Sequence, residues 1–60
     1  MENYVIYVNN VGFFESMGHN EITYTKEIGK AFQMWIRVAR DIVKSLENSG
    51  EDCCILKVIE

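Results

Sequence analysis

The stretch Glu21–Gly50, EITYTKEIGKAFQMWIRVARDIVKSLENSG, decides the fold, because its apolar period changes part-way along. Glu21 to Tyr24 is β-branched and aromatic in character, which reads as a short strand. From Lys26 onward Ile28, Ala31, Phe32, Trp35, Ile36, Ala39, Ile42, Val43 and Leu46 recur every three or four positions, the mark of one apolar helical face. Asn48-Ser49-Gly50 carries a helix-stop signal, and Thr23 or Thr25 supplies a candidate start. A helix over 26–48 measures about 34 Å at 1.5 Å per residue. Strands of this chain's length reach only about 17–24 Å. Gly29 therefore reads as an interruption, giving a short first turn and a main helix that starts near Phe32. Trp35 falls inside the apolar arc and reads as core. Met34 falls outside it and reads as a contact residue.

Working outward, Asn3 to Asn9 forms a β-branched and aromatic first strand, and Asn9-Asn10-Val11-Gly12 supplies turn chemistry. Phe13 to Met17 reads as a second strand, closed by Gly18-His19-Asn20. Beyond the helix, Ile55 to Ile59 gives a final strand that could begin at Cys53. The expected fold is α+β: a three-stranded antiparallel meander, one helix packed on one sheet face, and a C-terminal strand added to the sheet, in the order β-β-β-α-β. Residues 1–60 form a single domain, with no repeat, linker or low-complexity segment. A crossover through the helix would set the last strand parallel to the first.

Strand side chains alternate faces, so a sheet wet on one side alternates apolar and polar residues. The first strand does not: Tyr4, Ile6 and Val8 point one way, Val5 and Tyr7 the other. Phe13 and Phe14 are adjacent and also oppose each other. One helix covers one face, and the other would expose more apolar surface than monomers usually leave bare. The expectation is a homodimer, with Tyr4, Ile6, Tyr7, Phe13, Met34 and Ile55 at its interface.

Length sharpens that expectation. Sixty residues bury only about 60% of their unfolded surface, and such chains often need disulfides, metal or a partner. The two cysteines, Cys53 and Cys54, are neighbours and staple nothing distant. On a strand they point to opposite faces, and His19 alone cannot complete a zinc site, so neither metal nor cofactor is expected. Two free thiols suit a reducing cytoplasm. No apolar run approaches the roughly 18 residues of a membrane-spanning helix, and the first residues do not open a secretory signal.

The net charge of −3 is unevenly distributed. Residues 26–48 hold Lys26, Lys30, Arg37, Arg40 and Lys44 against Glu27, Asp41 and Glu47, a net +2. The remainder sums to −5. On a continuous helix Lys26, Lys30, Gln33, Arg37 and Lys44 form one solvent-facing stripe. Lys30, Gln33, Arg37 and Lys44 are therefore candidate partner-binding residues, although a charged outer face is ordinarily just solvated, with Arg37–Asp41 and Lys44–Glu47 as local pairs. No catalytic constellation is visible: His19 sits in a turn, the serines are scattered, and Gly12 and Gly18 form no phosphate-binding loop.

The elements Gly12-Phe13-Phe14, Ile22-Thr23-Tyr24-Thr25-Lys26-Glu27-Ile28-Gly29-Lys30-Ala31-Phe32 and Ile55-Leu56-Lys57-Val58-Ile59 together resemble those of small bacteriophage and prophage proteins of β-β-β-α-β type. The likeness spans most of the chain and is structural in character. In size and acidity the chain is also similar to phage-encoded anti-defence proteins. That resemblance implies a non-enzymatic cytoplasmic homodimer that inhibits a host defence protein by stoichiometric protein–protein binding. The competing expectation is a small nucleic-acid-associated phage protein that uses the basic stripe. Its negative total charge and lack of a nucleic-acid-binding motif weigh against it.

Overall fold

A computed structural model describes residues 3–19 and 21–59. Asn20, which the sequence places in the second turn, lies outside the described residues, as do Met1, Glu2 and Glu60. The element order is β1 (Tyr4–Val8), β2 (Gly12–Met17), β3 (Ile22–Thr25), a single 3-10 turn (Ile28–Lys30), α1 (Ile36–Asn48) and β4 (Cys53–Lys57). The strands make one sheet in the spatial order β3-β2-β1-β4. This is the α+β, β-β-β-α-β architecture expected from the sequence.

Turn chemistry sets the meander. Asn10 takes φ 65°, and the Val11 amide donates to the Val8 carbonyl at 3.1 Å. Gly12 follows with φ 141°, where a β-carbon would lie 2.7 Å from the Thr25 carbonyl oxygen. Only glycine lets β3 approach this closely. The Lys26 ammonium secures the same corner by donating to the Val11 carbonyl at 2.8 Å.

β1 and β2 pair at Tyr7–Phe13 and Val8–Gly12, and then the chain following the 3-10 turn bonds to both of them. The Phe32 amide donates to the Phe14 carbonyl at 3.0 Å, while Met34 bridges Tyr4. This extended return corrects one expectation. β4 pairs with β1 as expected, but antiparallel, with Val5 opposite Leu56 and Val8 opposite Cys53. Residues 31–35 carry the chain back to the start of β1 before α1 begins. The helix then runs in the direction of β1, and β4 must come back against it.

The main helix starts four residues later than Phe32. Its 13 residues span about 20 Å, close to the strand lengths, so the overhang disappears. Its end follows the sequence signal. Gly50, at φ 91°, donates to the Glu47 carbonyl and the Glu51 amide to that of Leu46, each at 3.0 Å, which closes the last turn.

The core lies between the sheet and α1. Ile6, Val8, Phe14, Met34, Ala39 and Leu46 form it, flanked by Tyr4, Ile22, Tyr24, Ile42, Val43, Cys53 and Ile55. Met34 and Trp35 exchange their expected roles: Met34 is 5% exposed and Trp35 61%. Neither is helical. In the extended segment Met34 shares the helix-side face with its bridge partner Tyr4. Val5 and Ala31 are also buried, outside that cluster.

Candidate functional site

The placement of the basic residues dissolves the expected stripe. Lys30 closes the 3-10 turn and Gln33 lies in the extended return, so of the four candidate partner residues only Arg37 and Lys44 stand on α1. All four are exposed. The stripe requires a helix continuous from Lys26, and the extended return removes it. Lys30 pairs with Glu27 at 3.0 Å, the one ion pair among the described residues.

The dimer residues divide as well. Ile6 and Met34 are core, and Tyr4 and Ile55 pack against it on the helix side, so these four offer no free face to a second copy. Tyr7 and Phe13 do lie on the opposite sheet face. They are half-buried and stack edge-on, with ring centroids 5.1 Å apart. Register places Cys54 beside Tyr7 and Leu56 beside Val5 on that same face, and both are exposed.

A different feature concentrates the free apolar surface. Packing of α1 falls chiefly on β1 and β4. Strands sit about 4.8 Å apart and a helix is about 10–12 Å across, so one helix covers about two strands. Over the β2 side of the sheet an open groove of about 420 Å³ remains, lined by Phe14, Ser16, Met17, Phe32 and Ile42. Phe14 is its buried floor and meets Phe32 edge-on at 6.3 Å. Met17 is 59% exposed and Phe32 49%. At 100° per residue Val38 stands about 40° from Ile42 on α1, so the 44%-exposed Val38 continues the wall formed by Ile42.

The bulge in β2 between Phe14 and Ser16 shapes this wall. It shifts the register so that Met17 pairs with Ile22. Sequence reading misses the groove because it assigns Phe32 to the helical face. The available signal is a surplus: Met17, Phe32 and Val38 are more apolar residues than one short helix can hide.

No known protein family matches the chain, and no curated protein or solved structure is detectably similar to it.

Among the described residues no three His, Cys, Asp or Glu side chains gather into a metal-binding group. No described helix is long and apolar enough to cross a membrane. Among the described residues, the titratable groups with displaced pKa values are Cys53 and Tyr24. Burial pushes the Cys53 thiol up, reinforced by Glu47, Asp52, Cys54 and Glu51. Burial, then Glu51 and Cys53, raises Tyr24. Tyr24 pairs across the sheet with Phe14, the floor of the groove, while Cys53 lies on β4, and both keep their neutral forms at ordinary pH.

Proposed function

We propose that this chain is a non-enzymatic binding protein that acts by stoichiometric occupation of a protein target. The groove beside α1 carries the reading. An apolar concavity of this size, with half-exposed Met17, Phe32 and Val38 along it, is surface that a solvated domain has no stability reason to keep.

The working form is a homodimer joined through the sheet face that carries Tyr7, Phe13, Cys54 and Leu56, with each copy presenting its groove outward. The target class comes from the phage-type resemblance alone: a component of bacterial antiviral defence, met in the host cytoplasm. The nucleic-acid alternative keeps only Arg37, Arg40 and Lys44 on the outer face of α1, with Asp41 beside them, in a chain of net charge −3.

A plaque assay tests the proposal. Expression in bacteria carrying a defence system should restore phage growth, and Met17→Lys with Val38→Lys should abolish the effect while leaving the fold intact by circular dichroism. Protection undiminished across a panel of defence systems, or salt-sensitive binding of duplex or single-stranded nucleic acid by the pure protein, would refute it.

A further inference from the structure

We propose that the free edge of β4 pairs antiparallel with the β4 edge of a second copy, about a two-fold axis at Cys54, so that Lys57 of each copy stands opposite Glu51 of the other. This contact is separate from the sheet-face joint and from the groove, and rests on neither.

The ladder between β1 and β4 fixes which main-chain groups are free. The Asn9 amide donates to the Asp52 carbonyl and the Val58 amide to the Asn3 carbonyl, each at 2.8 Å. Hydrogen-bonded pairs alternate along an antiparallel ladder, and the register from Tyr4–Lys57 to Val8–Cys53 runs unbroken between those two bonds. Cys54 and Leu56 therefore bond to β1, while the amides and carbonyls of Cys53, Ile55 and Lys57 point away from the sheet. β4 is the last strand in the spatial order, and no backbone partner reaches these groups among the described residues.

This edge is poorly guarded. Proline, bulges and charge are the usual devices against strand addition. The chain has no proline, the β1–β4 register has no shift, and Lys57 is the one charge on β4. The other edge, β3, is shorter and pairs through the bulge in β2.

Charge selects the occupant and the register. Glu51 and Asp52 precede β4, and both bear on Cys53 together with Glu47 of α1, so the strand runs from an acidic end to a basic one. None of these four charged residues is in an ion pair among the described residues. An identical strand run the other way brings opposite charges together, whereas a parallel copy would set Lys57 beside Lys57. A two-fold axis normal to the sheet keeps each face on its own side, so residues of like parity oppose each other. Centred on Cys54, the pairing sets Cys53 opposite Ile55 and Lys57 opposite Glu51 on the helix side, where Glu51 and Cys53 both bear on Tyr24. Centred on Ile55 or Leu56, it sends Lys57 to Cys53 or Ile55 and leaves the charges without a direct partner. The result is one eight-stranded sheet in which the faces carrying Tyr7, Phe13 and Leu56 lie side by side. Together with the sheet-face joint it would gather four chains.

Amide hydrogen exchange of the full chain, read residue by residue by NMR at micromolar and at millimolar concentration, tests the pairing. The Cys53, Ile55 and Lys57 amides should exchange at least tenfold more slowly at the higher concentration. The Cys54 and Leu56 amides, bonded to β1 in every copy, should exchange equally at both. Lys57→Glu and Glu51→Lys should each abolish the gain, and the two together should restore it. Leu56→Lys, which opens the sheet-face joint, should keep it. Edge amides that exchange equally at both concentrations would overturn the inference. So would protection that survives Lys57→Glu, or that the double variant fails to restore with an unchanged circular dichroism spectrum. Protection lost in Leu56→Lys would assign it to the sheet face and overturn the edge pairing as well. Edge protection in a chain with no sheet-face joint would leave this inference standing and remove that joint from the working form.

Discussion

Met34 and Tyr4 exchange both backbone hydrogen bonds, amide to carbonyl in each direction at 2.9 Å. This two-bond bridge anchors the extended return to the start of β1 and fixes where α1 begins. No side-chain cap does so: Trp35 occupies the N-cap position with φ −72° and ψ 154° and makes no capping hydrogen bond. The first turn holds no acid and the last turn no base, so the helix dipole is uncompensated as well. Tertiary pairing, not local sequence, positions the helix.

Adjacent residues should therefore respond in opposite ways. Met34→Ala empties a core position and is expected to cost about 2–5 kcal/mol. Trp35→Asp removes a mostly exposed indole and supplies the missing N-cap, so it should stabilise by about 0.5–2 kcal/mol. Urea unfolding followed by circular dichroism checks both. A loss of stability in Trp35→Asp comparable to that of Met34→Ala would mean that the indole is core after all.

Two glycines should separate in the same way. Gly12→Ala meets the Thr25 carbonyl oxygen at 2.7 Å from a backbone at φ 141°, and is expected to destabilise by about 1–3 kcal/mol. A β-carbon added at Gly29 would meet nothing within 4 Å, and Gly29→Ala should be neutral or stabilise by about 0.4–1 kcal/mol through the unfolded chain. The urea midpoints of the pair give the comparison directly. Similar losses in both would indicate that β3 does not approach Gly12 so closely.

The strands and the end of the helix are readable in the sequence because their determinants are local. β-branched runs, the Asn10 and Gly12 turn residues and Gly50 each act within a few residues. The start of α1 is not readable, because the apolar spacing of Ile28, Ala31, Phe32 and Trp35 fits a helix that the Met34–Tyr4 bridge forbids. That single misplacement carries three others with it. It makes β4 parallel, exchanges Met34 with Trp35, and aligns Lys30 and Gln33 with Arg37. The groove is hidden for the same reason, since the spacing assigns Phe32 to a helix face. The antiparallel pairing of β4 also has no local signal; it depends on which way α1 runs.

Alkaline pH should weaken the fold through Cys53 and Tyr24. Both are acids that are neutral when protonated, and both have folded pKa values above their ordinary ones, chiefly through burial. Their contribution to stability is complete below the unfolded values and is lost as pH climbs through the raised folded values, because the unfolded chain releases those protons first. The urea midpoint should therefore fall above about pH 9, with Cys53 responsible for the earlier part and Tyr24 for the later. Tyr24→Phe should flatten the upper part of the fall, and a profile unchanged in that variant would remove Tyr24 from the account. The thiols should differ in parallel: at about pH 8, just below the ordinary thiol range, iodoacetamide should label exposed Cys54 well before Cys53.

Self-association is expected through the sheet face opposite α1, and Leu56 is the residue on which to test it. Leu56 is 40% exposed and lies opposite fully buried Val5 in the β1–β4 register, so lysine there can extend into solvent without entering the core. The Tyr7–Phe13 pair lies half-buried on the same face, its rings in edge-to-face contact. Sedimentation equilibrium at micromolar concentration should give twice the 7.0 kDa chain mass for the unaltered protein. It should give the single chain mass for Leu56→Lys, with an unchanged circular dichroism spectrum. Each copy contributes only a modest apolar area from this face, so the expected dissociation constant is micromolar and the equilibrium should shift visibly on tenfold dilution. A folded single chain for the unaltered protein at high micromolar concentration would remove the dimer, and the groove would then act from a monomer. A dimer that persists in Leu56→Lys would place the seam elsewhere, at the free edge of β4 or of β3, where unpaired backbone groups can add a strand.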